Sequence, residues 1–416
     1  MSASSRPVTV IPVRRGLAVA ATALSLAVAA TGCTSSGASK TAADEPSSSA
    51  SASSSPSPTA APVSVASVAT NVVNAAAVKV DKVLTLTAKK GTFDSVEVKT
   101  GKTSVRGALS GDKASWTSKT RLEPGTRYHV KAVAVDSKGL KTVKRSSFRT
   151  QVLDRRTQEI FPSFAPVSGE TVGIGMPVIV RFDRPVANRA AFQKHLTVTN
   201  SSHQKGAWHW LSDYEVHWRP AHYWKPGTDV TVKADINSIA AGDGMYGQLS
   251  RTSTFHVGRS VISHVNAASH QLQTFIDGKL ARTIPITTGK AGFTTRSGTK
   301  VIIEKNRHKR MNSETIGIAT NSANGYDLDD VEYAMRLTYS GEFLHAAPWS
   351  VGSQGYANVS HGCTGMSTSN AAWLYANSKP GDVVEYTGTD RPMSLDNGYG
   401  DWNESFAAYQ RSTTAG

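Results

Sequence analysis

Short runs rich in Val and Thr, broken by turn residues, fill the chain between residues 63 and 151. The runs at 83–87 (VLTLT), 95–99 (SVEVK) and 128–135 (YHVKAVAV) are typical, with Glu123-Pro124-Gly125 and Ser137-Lys138-Gly139 marking turns. Strands this short and this often interrupted predict an all-β sandwich of immunoglobulin-like size. A second unit, from about Asp154 to Gly258, repeats that logic. Residues 177–182 (PVIVRF) read as a largely buried strand, and Lys225-Pro226-Gly227-Thr228 parallels Glu123-Pro124-Gly125-Thr126, each ahead of a strand. The shared Pro-Gly-Thr turn suggests a tandem repeat. From Ser260 a third pattern begins, with runs at 260–265 and 271–276, the hairpin signal Asp277-Gly278 and a strand at 281–286, a β-meander that opens a new domain. Residues 367–377 (STSNAAWLYAN) predict one short helix with Ser367 or Thr368 as N-cap, ending before Pro380-Gly381. Residues 382–386 (DVVEY) close a strand, and 388–416 form a tail whose Trp402 and Phe406 are placed to dock on a neighbouring domain.

The start of the chain follows another pattern. Arg14-Arg15 precedes an uncharged, mostly apolar run at 16–30, followed by Thr31-Gly32-Cys33. That run is short for a membrane span and reads as an export signal. The small residues before Cys33 resemble a bacterial lipobox, which implies lipidation of Cys33 and removal of residues 1–32. Residues 34–62 are mostly Ser, Ala and Pro, a solvated tether with a root-mean-square span of roughly 30 Å.

Composition is that of a globular protein, 39% hydrophobic and 19% charged over 416 residues, enough for several domains. The formal charge is +15, and losing Arg6, Arg14 and Arg15 with the leader would leave +12. A surface this basic favours polyanions, which outside a membrane means anionic wall polymer, anionic lipid or the carboxylate-bearing wall. Export and the lack of any recognisable motif argue against nucleic acid.

Cysteine usage changes the picture further. Only Cys33 and Cys363 exist, so a lipidated Cys33 leaves Cys363 unpaired in an oxidising compartment, where a chemical use for it becomes the better explanation. Cys363 sits in Ser360-His361-Gly362-Cys363. In an extended segment residues two apart point the same way, which puts His361 beside the thiol, and Gly362 lets a substrate approach the backbone closely, leaving its N–H and that of Cys363 as oxyanion donors. His345 is a second candidate for the base. The rings at Trp208, His209, Trp210, Tyr214, His217, Trp218, His222, Tyr223 and Trp224 match no standard ligand spacing; packing in a sandwich core or at an interdomain contact is expected there, with a metal or sugar site as the alternative.

His345, fourteen intervening residues, then Ser360-His361-Gly362-Cys363: with this spacing the chain resembles the L,D-transpeptidases of bacterial wall synthesis, with a YkuD-type catalytic domain, and especially the actinobacterial lipoproteins that place two immunoglobulin-like domains ahead of the enzyme. The resemblance implies Cys363 as nucleophile and His345 as its general base, with the carbonyl of Ala346 holding that histidine where close relatives often carry Ser. It further implies Tyr326 and Met311 lining the donor site, the latter as a lid, Trp349 as a pocket wall, and Ser360, His361 and Gly362 as the structural and oxyanion part of the motif. One departure stands out: the family usually has Asn two residues after the cysteine, where this chain has Gly365. The order His then Cys argues against papain-like endopeptidases, and His-Gly before Cys363 against a sortase.

The expected architecture is therefore mainly β: signal peptide 1–32, tether 33–62, immunoglobulin-like domains at 63–152 and 153–258, the catalytic domain at 259–387 and a docking tail at 388–416. The resemblance implies 3→3 cross-linking of peptidoglycan through a cysteine thioester, donor and acceptor stem peptides as partners, no metal or cofactor, inhibition by carbapenems, and a lipid-anchored location outside the cytoplasmic membrane; a monomer is expected. L,D-carboxypeptidase trimming and a non-catalytic wall-binding lipoprotein are the alternatives.

Overall fold

The computed structural model describes residues 61–411. The leader, Cys33 and the tether up to residue 60 lie outside the described residues, as do the last five residues of the tail. Strand dominates, and the sheets follow one another along the chain as two sandwiches and a mixed β domain.

In the first sandwich, Ser67–Thr70, Thr85–Lys89, Ser115–Ser118 and Gly107–Leu109 form one sheet in that spatial order. The facing sheet orders Ala76–Val78, Lys141–Thr150, Arg127–Val135, Thr92–Thr100 and Thr103–Ser104. Period two decides what is buried: Tyr128, Val130 and Ala132 point inward while Arg127, His129 and Lys131 point to solvent. Leu84, Leu86, Phe93, Trp116 and Phe148 complete the core, each burial contributing about 1.5–3 kcal/mol.

The second sandwich pairs Pro162–Ala165, Val178–Phe182, Glu215–Pro220 and Gly206–Ser212 against Thr171–Val172, Arg251–Val257, Asp229–Ala234 and Leu196–Asn200. The tandem turn recurs in its hydrogen bonds. Gly125 (φ 61°) donates its N–H to Gln151 O at 2.7 Å, and Gly227 (φ 77°) donates to Val257 O at 2.8 Å. In both units the strand after the turn then pairs with the closing strand.

The third domain holds a five-stranded sheet in the order Lys279–Pro285, Gln271–Ile276, Val261–Asn266, Val383–Thr387, Gly298–Val301. Asp277 and Gly278 both have positive φ, as a two-residue hairpin turn requires. A four-stranded sheet of Glu304–Asn312, Asp327–Arg336, Phe343–Ala346 and Thr364–Met366 packs beside it. The helix Thr368–Asn377 is capped by the Ser367 hydroxyl, which accepts from the Asn370 N–H, and its Ala371 and Leu374 close a core with Leu272, Ile284, Met335 and Leu344.

The tryptophans of the ring cluster are packing, while Tyr214 and His222 are exposed. Trp208, Trp210, Trp218 and Trp224 are buried, and among the described residues no His/Cys/Asp/Glu grouping is arranged to hold a metal. The tail docks where those rings end. Arg219 lies beneath Trp402, Phe406 and Tyr409 at 4.8, 5.4 and 4.5 Å from their ring centres, and Trp402 donates its indole N–H to Gly175 O at 2.8 Å. Asn403 grips both backbone groups of Thr299 in the third domain, so the tail ties that domain to the second sandwich.

Candidate active site

The strand Phe343–Ala346 runs parallel to Thr364–Met366, with Leu344 opposite Thr364 and His345 opposite Gly365. This register brings Cys363, one residue ahead of its strand, and His345 to neighbouring strands of one sheet. Both face a cavity of about 310 Å³. Met311, Tyr326, Trp349, Ser360 and His361 line the same cavity, as does Gly365, so seven of the nine expected catalytic and substrate-binding residues converge there. Gly362 and Ala346 take part through their backbones.

His345 is buried and hydrogen-bonds through Nδ1 to Ala346 O at 2.7 Å. A carbonyl only accepts, so Nδ1 carries the proton and Nε2 presents a lone pair. Burial holds its pKa below the usual histidine value, and the ring is neutral at pH 7. Trp349, still 57% exposed, stacks on it at 5.8 Å.

Cys363, like Tyr326 and Leu328, packs against the small cluster of Met311, Val331, Ala334 and Phe343. Burial pushes its pKa up to about 11, opposed by the Phe343 N–H and assisted by the nearby Glu342 carboxylate. Its Sγ is 3.5 Å from Gly341 O. The resting pair is thus neutral thiol and neutral imidazole, and a thiolate forms only as a base removes the proton.

One expectation is corrected here. The Gly362 N–H, expected to be free for an oxyanion, donates to Ser360 Oγ at 3.1 Å. The Ser360 hydroxyl in turn donates to Cys363 O at 2.6 Å, which folds the motif into a tight loop. That loop needs φ +120° at Gly362, a conformation closed to side-chain-bearing residues. Thr295 fixes the loop from behind by donating to Gly362 O at 2.8 Å.

His361 lies against Phe293 and Tyr326, with ring centres 4.6 and 5.2 Å away. Its Nε2 is buried and has no partner among the described residues. Burial raises the Tyr326 pKa to about 12, which keeps its hydroxyl protonated as a donor. Gly365 has an explanation in packing: a Cβ there would come within 2.8 Å of the Ala347 Cβ and 3.2 Å of Thr287 Cγ2. The room for an asparagine is already filled.

Behind the thiol lies a group that sequence reasoning missed. Glu342, next to Phe343, is buried and accepts from Lys300 Nζ at 2.6 Å and Arg296 Nη1 at 2.9 Å. Lys300 is fully buried, its Nζ 3.6 Å from the centre of the Tyr386 ring, and burial lowers its pKa to about 8. The Tyr386 hydroxyl meets Thr364 Oγ1 at 2.7 Å, directly after Cys363. Nothing in the local sequence marks these residues, because their partners lie 42 and 22 positions apart.

Comparison with known proteins identifies the domains by sequence. The family model for a bacterial Ig domain matches residues 75–240, and that for the L,D-transpeptidase catalytic domain, YkuD, matches residues 260–385. The chain is 37% identical over 331 residues to L,D-transpeptidase 2 of Mycobacterium tuberculosis (strain CDC 1551 / Oshkosh), covering 79% of this chain and 80% of that protein. It is 36% identical to L,D-transpeptidase 5 of Mycobacterium tuberculosis (strain H37Rv) over 71% of this chain and 64% of that protein. A solved structure of Mycobacterium tuberculosis L,D-transpeptidase 1 is 32% identical, covers 54% of this chain and 97% of its own, and has a TM-score of 0.44.

Proposed function

This chain belongs to the L,D-transpeptidase family with a YkuD catalytic domain, and from that premise we propose that it joins peptidoglycan stems by 3→3 cross-links through a thioester on Cys363. His345 Nε2 takes the thiol proton as Sγ attacks the carbonyl of the third-residue diamino acid in a tetrapeptide stem. The oxyanion is received by the Cys363 N–H and the protonated Tyr326 hydroxyl, whose residues line the same cavity. The C–N bond to the terminal D-Ala breaks, and His345 returns the proton to the departing amine. The side-chain amine of a second stem then attacks the thioester, gives up a proton to His345, and releases the thiolate, which is reprotonated.

One observation carries this reading. Cys363 and His345 share a cavity, and the Nδ1–H bond to Ala346 O leaves Nε2 as the basic nitrogen. Met311 and Trp349 are proposed as the walls that hold the stem. Carbapenems, whose strained lactam carbonyl offers the same electrophile, would acylate Cys363. The domain limits 63–152, 153–258 and 259–387 with the tail from 388, a lipid anchor at Cys33 on the outer face of the cytoplasmic membrane from which the chain reaches into the wall, and a monomeric state complete the proposal.

Incubation with a disaccharide-tetrapeptide, followed by mass spectrometry, tests it. Wild type should release D-Ala and form dimers; Cys363→Ala should do neither. Equal products from both proteins would sink the proposal, and D-Ala release without dimers would replace it with carboxypeptidase trimming.

A further inference from the structure

Lysine and arginine are spread very unevenly. Residues 63–152 hold 17 of them against 6 Asp and Glu, a net +11, whereas residues 153–416 hold 25 against 23, a net +2. The first sandwich therefore carries most of the molecule's charge of +15. Its densest part is the outer face of the five-stranded sheet. There the register sets Arg127 directly opposite Arg149 and Lys131 directly opposite Arg145, while Lys99 on the next strand lies opposite His129. The two like-charged pairs are exposed.

Like charges placed directly across a sheet destabilise it. Among the described residues neither pair closes an ion pair with an acid: Glu97, opposite Lys131, pairs with Lys99, and Asp94 with Lys141. The array also spreads in two dimensions. Strands lie about 4.8 Å apart and side chains on one face recur about every 6.8 Å, so the cations spread over three neighbouring strands of one face. Val143 stands exposed between Lys141 and Arg145 on the same face.

We propose that this face docks on an anionic lipid leaflet. An array spread in two dimensions with an exposed apolar residue inside it matches a surface of headgroups better than a single threaded polymer. The sandwich that carries the patch begins at residue 63, after a tether of roughly 30 Å root-mean-square span, so the lipid anchor proposed at Cys33 would keep it within reach of the leaflet. Docking here would orient the catalytic domain relative to the membrane surface independently of any anchor.

Flotation of the full-length chain with phosphatidylcholine vesicles, with and without phosphatidylglycerol, tests the inference. Any anchor contributes equally to both vesicle types, so the readout is their ratio. A cation near an anionic surface adds about fivefold in binding, so wild type should favour the anionic vesicles by at least about tenfold at low salt and lose that preference at high salt. Combining Arg127→Gln, Lys131→Gln, Arg145→Gln and Arg149→Gln should abolish the preference without lowering the melting temperature. A control with the same charge removed elsewhere, Lys89→Gln, Arg106→Gln, Lys113→Gln and Lys119→Gln, should keep most of it. Equal binding to both vesicle types, or equal loss in the two variants, overturns the proposal. Tighter binding to soluble poly(glycerol phosphate) than to vesicles overturns it in favour of a polymer.

Discussion

His345 donates its Nδ1 proton to the carbonyl of Ala346, the residue directly after it, at 2.7 Å. A backbone carbonyl in this role cannot be lost by substituting a side chain, which is why alanine serves at 346. It carries no full negative charge, so its hydrogen bond favours the imidazolium less than burial disfavours it, and the His345 pKa lies below the usual histidine value. With the Cys363 pKa near 11, only about one thiol in ten thousand is ionised at pH 7.

Alkylation by iodoacetamide reads this directly. The rate at Cys363 should climb about tenfold per pH unit from 7 through 9, following the thiolate fraction. A plateau beginning near pH 6 would reveal a thiolate–imidazolium pair and contradict the neutral resting state. For turnover, kcat/KM should be flat from pH 7 to 9 and fall in acid as His345 becomes protonated. Replacing the base by His345→Ala should lower kcat/KM by roughly 10²–10⁴.

Gly365 is the position where packing and chemistry are easiest to separate. Gly365→Asn pushes a Cβ to within 2.8 Å of the Ala347 Cβ, an overpacking expected to cost about 1–3 kcal/mol. Thermal denaturation should show the loss, and the double variant Gly365→Asn, Ala347→Gly should recover much of it. If the single variant melts like wild type, the crowding described here is not what excludes a side chain.

Glu342 is the only described acid that closes on the fully buried Lys300. Glu342→Gln leaves that ammonium without a counter-charge and is expected to cost about 3–5 kcal/mol. Lys300→Met should offset part of this loss, and a double-mutant cycle by urea unfolding measures the coupling. Gly341 O and the Phe343 N–H, the two backbone groups at the sulfur, flank Glu342. A surviving Glu342→Gln protein should therefore also shift the pH profile of Cys363 alkylation; a variant that melts lower with an unchanged profile would confine the residue to stability.

What the sequence made legible is what is local. The strand Arg127–Val135 shows in its apolar and polar alternation, the hairpin at Asp277-Gly278 in two residues tolerant of positive φ, and the helix Thr368–Asn377 in its Ser367 cap. His345 and Cys363 were legible together only through the resemblance to the family's pattern of a histidine, a spacer and Ser-His-Gly-Cys; the parallel pairing that brings them to neighbouring strands has no local signal. The parallel pairing of Val261–Asn266 with Val383–Thr387 spans more than a hundred residues, and no local pattern fixes it. Gly362 was misjudged for a related reason: whether its N–H is free depends on where the Ser360 hydroxyl points, which rotamer and packing decide.

The docking of the tail should be sensitive to alkaline pH through His217. This ring is fully buried between Asp401, 2.9 Å from Nδ1, and Glu215, 2.6 Å from Nε2. Asp401 also accepts from the Tyr409 hydroxyl at 2.8 Å, so the same carboxylate holds the last described helix. Burial alone would lower the His217 pKa, but the two carboxylates win and raise it to about 9. The folded value lies above the unfolded value near 6.5, so protonation stabilises the fold. That contribution is complete below pH 6.5 and is lost as pH rises through 9, amounting to about 3 kcal/mol for a shift of this size. Asp401, whose pKa is depressed mainly by the charged His217 against the opposing effect of burial, contributes with the opposite sign, above its unfolded value near 3.8. The melting temperature should therefore decline between pH 6.5 and 9, with protection of the Phe406–Arg411 amides from hydrogen exchange declining in parallel. His217→Gln should melt lower at pH 6 and show a much shallower decline to pH 9; an unchanged slope would place the alkaline sensitivity elsewhere in the molecule.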